Sequence, residues 1–135
     1  MSGRSTMRVE FEEQGERVVY RRHRNGGGLV SPQANVDATA FVARDAWVEP
    51  GAVVESGASI ASGAWIDTDA RLGEDVVVGK YVHVGPGVLV GDRARLEQGV
   101  RLGAGARVEP RTRVPEDATV AAGDVVTRAR YGIAA

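Results

Sequence analysis

The stretch AWVEPGAVVESGASIASGAW, residues 46–65, has an aliphatic residue at every sixth position. Val48, Val54 and Ile60 occupy these positions, and the same register runs without interruption from Val30 to Val126. The residue two positions before each aliphatic is usually alanine or valine, and the position three after it is rich in Gly and Asp. A period of six is neither the 3.6 of a helix nor the 2 of a long strand.

The period of six residues predicts a particular fold. Side chains of a strand alternate between two faces, so the small residue and the aliphatic two positions later both point inward. Gly and Asp supply the tight corners between short strands. Short parallel strands joined by corners bury their aliphatics only by winding into a solenoid of stacked coils. The sequence therefore predicts an all-β solenoid over residues 29–128, with about five to six coils.

Two segments carry a family resemblance. AWVEPGAVVESGASIASGAW and LGEDVVVGKYVHVGPGVLVGDRARL (residues 72–96) resemble the hexapeptide-repeat superfamily, and the likeness extends over about residues 28–128. The resemblance implies a left-handed parallel β-helix of triangular cross-section, with three repeats in each coil. It further implies trimers of side-by-side prisms and, for most characterised members, an acyltransferase activity that uses acyl-CoA or acyl-carrier thioesters.

Residues 1–28 lie outside the repeat and are predicted to form an N-terminal hairpin cap followed by a glycine-rich linker. The segment MRVEFEEQGERVVYRR predicts strands at Arg8–Glu13 and Arg17–Arg22 around a turn at residues 14–16. Such a hairpin is expected to cover the open strand edges of the first coil.

The linker RRHRNGGG, residues 21–28, has an alternative interpretation as an anion site. It lacks the strand–loop–helix context of a phosphate loop, so the cap and linker interpretation is preferred. At the other end, residues 129–135 are predicted to form a short tail. The last coil is expected to be frayed, covered by Tyr131 and Ile133, or covered by another molecule.

The outward position just before each aliphatic gives a column of unusual residues along one face. Its members are Leu29, Trp47, Trp65, His83, Arg101 and Thr119. Because aromatic residues are enriched in interface cores, this wall predicts a homo-oligomer, with a trimer favoured. The alternative is a stacking platform for a sugar or another flat ligand.

His83 is the histidine that lies within the solenoid. Acyl transfer needs a histidine base near the acceptor, which makes His83 a candidate catalytic residue. Superfamily enzymes usually shape their site with a loop inserted into the coils and a C-terminal helix, and the sequence shows neither. The main hypothesis is therefore a non-catalytic scaffold or binding protein that self-associates through a flat wall and needs no cofactor. The alternative is an acyltransferase using acetyl-CoA or another acyl-CoA, with its site between subunits.

Composition narrows the function further. Seventeen basic and eighteen acidic residues leave a net charge of −1, so neither nucleic acid nor a membrane surface is an expected partner. The absence of cysteine removes thiolate ligands and a cysteine nucleophile. Two histidines are too few for the three-histidine zinc site of γ-class carbonic anhydrases, so no metal is expected. No apolar run suits a signal peptide or a membrane span, which favours a cytoplasmic location.

Overall fold

The computed structural model describes residues 8–131, and over this range it contains strands and turns but no helix. It begins with an antiparallel hairpin of β1 (Arg8–Glu13) and β2 (Glu16–Arg22). Gln14 and Gly15 form the turn with φ angles of 50° and 80°. Positive φ at both central residues is typical of the two-residue turn whose twist matches paired strands. Glu16, predicted to lie in the turn, therefore pairs with Glu13 in the ladder.

All later strands have two residues each and recur every six residues. They are β3 (Leu29–Val30), β4 (Asn35–Val36), β5 (Phe41–Val42), β6 (Trp47–Val48), β7 (Val53–Val54), β8 (Ser59–Ile60), β9 (Trp65–Ile66), β10 (Arg71–Leu72), β11 (Val77–Val78), β12 (His83–Val84), β13 (Leu89–Val90), β14 (Arg95–Leu96), β15 (Arg101–Leu102), β16 (Arg107–Val108), β17 (Arg113–Val114), β18 (Thr119–Val120) and β19 (Val125–Val126).

From β3 onward, each strand pairs in parallel with the strand three further along the chain, and this builds three sheets. The eight-stranded sheet has the order β1-β2-β3-β6-β9-β12-β15-β18. The six-stranded sheet contains β4, β7, β10, β13, β16 and β19, and the five-stranded sheet contains β5, β8, β11, β14 and β17. The structure confirms the predicted all-β fold, a parallel β-helix of about five turns that is preceded by an N-terminal hairpin.

The core is a single column of aliphatic side chains inside the three sheets. Ile60, Ile66 and Leu72 are fully buried, and small residues such as Ala64 and Ala70 fill the space between them. The small residues let the three walls approach closely, so the interior is packed by the chain itself. The predicted assignment of inward and outward positions is confirmed over the solenoid.

Corners take the left-handed backbone conformation that the Gly and Asp positions predict. Gly63 has a φ of 73° and Asp69 a φ of 63°. Tyr81 adopts the same conformation, with a φ of 60°, which is uncommon for a bulky residue. Its ring lies over Gly63, where an added Cβ would collide with the ring. A glycine one coil earlier therefore makes room for this exposed tyrosine.

The first coil is covered in two ways. Strand β2 pairs antiparallel with β3, which extends the eight-stranded sheet into the hairpin. The linker crosses β5, where the Val42 amide donates to the Asn25 carbonyl and the Gly28 amide donates to the Val42 carbonyl, both at 2.9 Å. A Cβ at Gly26 or Gly28 would collide with Val42, so the linker needs these glycines to lie this close to the coil.

At the C-terminal end, Tyr131 packs against the core, as in one of the three alternatives considered for the last coil. Ile133 lies outside the described residues. The chain from residue 8 to residue 131 has no helix long and apolar enough to cross a membrane.

Candidate functional site

The column predicted from the sequence lies along the eight-stranded sheet, with one residue in each coil. Its members stand in register on neighbouring strands, in the order Leu29, Trp47, Trp65, His83, Arg101 and Thr119. The solenoid therefore brings together all the residues that the sequence analysis assigned to this wall.

The hairpin covers the first two members of the column. Leu29 is only 4% exposed. Trp47 is partly buried beneath Phe11 and Tyr20, whose ring centroids lie 5.3 and 5.1 Å from that of its indole. The sequence places both indoles at outward positions of one wall, but the hairpin covers that of Trp47, and Trp65 is the exposed indole. The apolar side chains of the hairpin lie over this wall, so the exposed part of the column begins at Trp65.

Trp65, His83 and Asp67 form a compact group on the exposed part of the wall. The indole of Trp65 is stacked on the imidazole of His83, with centroids 4.3 Å apart and planes 14° apart. The Nε2 atom of His83 lies 3.0 Å from Oδ2 of Asp67. A carboxylate can only accept, so Nε2–H donates and the Nδ1 lone pair is left to take a proton. The group has the composition of a general base held by a carboxylate and an aromatic ring.

Glu49 connects this group to the hairpin. One carboxylate oxygen accepts a 2.7 Å hydrogen bond from the Tyr20 hydroxyl, and the other accepts a 2.8 Å bond from Nε1 of Trp65. Sequence reasoning missed both Glu49 and Asp67. The signal was present, because each acid directly follows an inward aliphatic, in consecutive coils beside the aromatic column.

The hydroxyl of Tyr20 makes the hairpin contact sensitive to alkali. Burial raises the pKa of Tyr20, and its hydrogen bond to the Glu49 carboxylate raises it further. Because the pKa of Tyr20 is higher in the folded state than in the unfolded state, the neutral hydroxyl stabilises the fold at pH values below the usual tyrosine pKa of 10.0. This stabilisation is lost as the pH rises above that value. We expect the free energy of unfolding to fall above that pH by up to about 1.4 kcal/mol per pH unit. Denaturant unfolding at several pH values measures this decrease.

The Tyr20→Phe variant is the matched control for that measurement. It keeps the ring that packs on Trp47 but has no hydroxyl to ionise, so its alkaline decrease in stability should be clearly smaller. An equal decrease in both proteins would show that Tyr20 is not its source.

A shallow depression of about 710 Å³ lies on the six-stranded sheet, over Arg71, Leu89 and Arg107. Gly73 and Gly91 contribute to it at one corner. No histidine lines this depression in the described part of the chain. Nor do three His, Asp or Glu side chains between residues 8 and 131 lie close enough together to hold a metal ion. The acidic residues of the depression are Glu55, Glu74, Asp92 and Glu109, so a histidine paired with a carboxylate is found on the wall that carries His83 and not here.

The sequence matches the family described as bacterial transferase hexapeptide (six repeats) over residues 57–92 and 69–104. Residues 57–104 therefore consist of hexapeptide repeats of this family. Both matched ranges contain His83, and the first also contains Trp65, so the candidate site lies within the hexapeptide repeats themselves. A search of curated proteins gives no match.

Solved hexapeptide-repeat structures resemble this one. PerB from Caulobacter crescentus, in complex with CoA and GDP-perosamine, is 29% identical with a TM-score of 0.72, over 73% of this chain and 48% of that chain. A histidine-to-alanine variant of GDP-perosamine N-acetyltransferase from C. crescentus, with the same ligands, is 23% identical with a TM-score of 0.64, over 73% and 49%. The acetyltransferase domain of PglB from Neisseria gonorrhoeae, with acetyl coenzyme A, is 22% identical with a TM-score of 0.50, over 73% and 53%. The last two likenesses show the fold alone, and this chain spans about half the length of all three proteins.

Proposed function

We propose that this protein is an acyltransferase that moves an acyl group from acyl-CoA to an amine or hydroxyl acceptor, with His83 as the general base. The single observation that carries the proposal is the His83–Asp67 hydrogen bond on an exposed wall. The similarity to PerB, solved with CoA at 29% identity, supports acyl-CoA as the donor. We place the activity in the cytoplasm, where acyl-CoA is available.

This proposal replaces the non-catalytic scaffold as the main hypothesis. The scaffold was preferred because the sequence shows no inserted loop in which to build a site. The structure forms the histidine–carboxylate pair from two uninterrupted coils, since β9 and β12 are hydrogen-bonded neighbours. A loop is therefore not needed to orient the base, and the CoA-bound neighbour favours the alternative hypothesis.

In the proposed reaction, His83 first accepts a proton and later donates it. Nδ1 removes a proton from the acceptor nitrogen or oxygen as that atom attacks the thioester carbonyl. A new C–N or C–O bond forms, and the tetrahedral intermediate then breaks its C–S bond. The proton held by the imidazole passes to the departing CoA sulfur, so the products are the acylated acceptor and free CoA. Asp67 keeps Nε2 protonated and steadies the imidazolium while the proton is held.

Two contacts fix the orientation of the base. Stacking on Trp65 sets the plane of the ring, and the hydrogen bond to Asp67 sets its rotation within that plane. Because the imidazole is already held in one orientation, no further entropy is lost in orienting it during the reaction. Glu49 supports this arrangement through its hydrogen bond to the indole.

An assay of thiol release tests the proposed activity. The protein contains no cysteine, so a thiol reagent reports free CoA without background from the chain. Acetyl-CoA is incubated with a panel of amines, amino sugars and alcohols, and we expect release that depends on one class of acceptor. Release no faster than without protein for every acceptor, with no detectable binding of acetyl-CoA, would contradict the proposal.

We further propose that the protein forms a homo-oligomer, as a trimer, through the wall that carries Trp65. The indole of Trp65 is 43% exposed although one of its faces is stacked on His83. A second subunit placed against it would bury this surface and bring a neighbouring chain close to the base. Exposed aromatic area of this kind is typical of interface cores.

Substituting the two tryptophans separately tests the interface. Trp65→Ser should reduce the mass in solution, measured by light scattering, towards that of a single chain of 14.2 kDa. Trp47→Ser should instead lower the free energy of unfolding by about 3 kcal/mol, because that indole packs under the hairpin. An unchanged oligomer in Trp65→Ser, or a monomeric wild type, would exclude this wall as the interface.

A further inference from the structure

We infer that a second site, for the phosphate group of a small molecule, lies where the linker meets the first coil. A depression of about 530 Å³ is lined there by Arg22, Leu29, Arg44, Asp45 and Trp47. Its volume lies within the range of about 300–1,000 Å³ that is usual for small-molecule sites. This inference does not depend on the proposed acyl transfer.

Two arginine side chains contact the same glycine of the linker, Gly27. Nη1 of Arg22 donates to the carbonyl oxygens of Gly27 and Arg44 at 3.0 and 2.8 Å. The side chain of Arg44 runs along Gly27, with its Nη1 3.7 Å from the position that a Gly27 Cβ would take. Two guanidinium groups, one from the end of the hairpin and one from the first coil, therefore lie beside one glycine.

Within residues 8–131, neither Arg22 nor Arg44 forms an ion pair. Asp45 also lines the depression and adds one negative charge, but its carboxylate is turned to the next coil, where it accepts hydrogen bonds from the Ser62 hydroxyl at 2.7 and 2.8 Å and from the Gly63 amide at 3.3 Å. Like charges held together repel each other, and a bound anion relieves that repulsion.

The donor chemistry selects a phosphate. Guanidinium groups present paired N–H donors whose geometry matches the oxygens of a phosphate. Arg22 is held in place by two carbonyl groups, so little freedom is lost when its remaining N–H groups bind a ligand. The half-buried indole of Trp47 gives the depression an apolar floor, which suits a phosphate carried on an apolar or planar body.

This site is separate from the base. Trp47 and His83 stand two coils apart on the same sheet, which corresponds to about 10 Å at the usual spacing of paired strands. The basic linker that the sequence analysis considered as an anion site thus contributes one residue, Arg22. The glycines of the linker allow its backbone to pass close to the first coil, and Arg44 of that coil supplies the second positive charge.

Tryptophan fluorescence can test the inference directly. In a Trp65→Phe background Trp47 is the remaining tryptophan, and pyrophosphate and ADP are the probes. We expect saturable changes with both probes, and tighter binding of ADP because its nucleoside can contact the apolar floor. Arg44→Gln should weaken binding at least about tenfold. Arg95→Gln, which removes an exposed arginine on the five-stranded sheet, should leave binding unchanged.

Several results would overturn the site. The first is a Trp47 fluorescence that does not change saturably with millimolar pyrophosphate or ADP. The second is an Arg44→Gln variant that binds the probes as tightly as the wild type. The third is an Arg95→Gln variant that loses as much affinity as Arg44→Gln. Circular dichroism of each variant confirms that the fold is retained, since the Arg44 backbone carbonyl still accepts from Arg22. Adding CoA as a competitor identifies the source of the phosphate. Displacement of ADP would point to the acyl donor, whereas retention of ADP would point to a separate phosphorylated ligand, and both results support the site.

Discussion

Replacing His83 with asparagine is expected to lower the rate of acyl transfer by about 10²–10⁴-fold, the usual contribution of a general base. Asparagine keeps a side-chain N–H that can donate to Asp67 but has no nitrogen able to take a proton at neutral pH. The ring that stacks on Trp65 is lost, yet His83 is a surface residue, so the solenoid should fold as in the wild type. The thiol-release assay with the best acceptor measures the change in kcat/KM.

The second histidine of the chain provides the matched control. Nε2 of His23 lies 2.8 Å from the Ala40 carbonyl, where it helps to fix the linker on the first coil. His23→Asn should therefore leave the rate within a few-fold of wild type, even if stability falls slightly. A His83→Asn variant with wild-type kcat/KM, or an equal loss in both variants, would remove His83 from the proposed mechanism.

Replacing Leu72 with alanine should lower the free energy of unfolding by about 2–5 kcal/mol. Leu72 is 0% exposed inside the prism, where the walls are hydrogen-bonded to neighbouring coils on both sides. Backbone pairing limits how far the walls can close around the missing methyl groups, so much of the cavity should persist. Denaturant unfolding monitored by circular dichroism gives the free energy.

Leu89 is the matched control because it carries the same side chain on the adjacent strand, β13, but outside the prism. It is half-buried against the outer wall, so Leu89→Ala should cost less than about 1 kcal/mol. Equal losses in the two variants, or a larger loss for Leu89→Ala, would contradict the assignment of inward and outward positions.

The solenoid could be predicted in detail because its determinants are local and repeated. An aliphatic at each sixth position, such as Ile60 or Ile66, fixes which side chains point inward, and no insertion disturbs that register. Corner positions were predictable for the same reason. The packing of the Tyr81 ring over Gly63, one coil earlier, was not predictable, since it depends on side-chain rotation.

The hairpin illustrates what local reasoning could not supply. Its two strands were predictable from the alternation of side chains around Gln14 and Gly15. That Phe11 and Tyr20 cover Trp47 follows from the antiparallel addition of β2 to β3, which is a tertiary contact with no signature in the sequence.

The candidate site was predictable only in part. The column containing Trp65 and His83 follows directly from the coil period. The pairing of His83 with Asp67 does not, because the two residues are 16 positions apart and meet across neighbouring coils at a corner. Whether an acid at such a corner turns towards the column depends on side-chain rotation, which the period does not determine.

The most direct test of the account is whether acyl-CoA binds beside His83, and it needs no acceptor. The chain contains two histidines, so their imidazole signals in an NMR spectrum can be assigned with His83→Asn alone. Adding CoA should shift the His83 signals saturably, and any shift of the His23 signals reports on the separate phosphate site at the linker. Signals of His83 that stay fixed at millimolar CoA, or a shift confined to His23, would contradict the account.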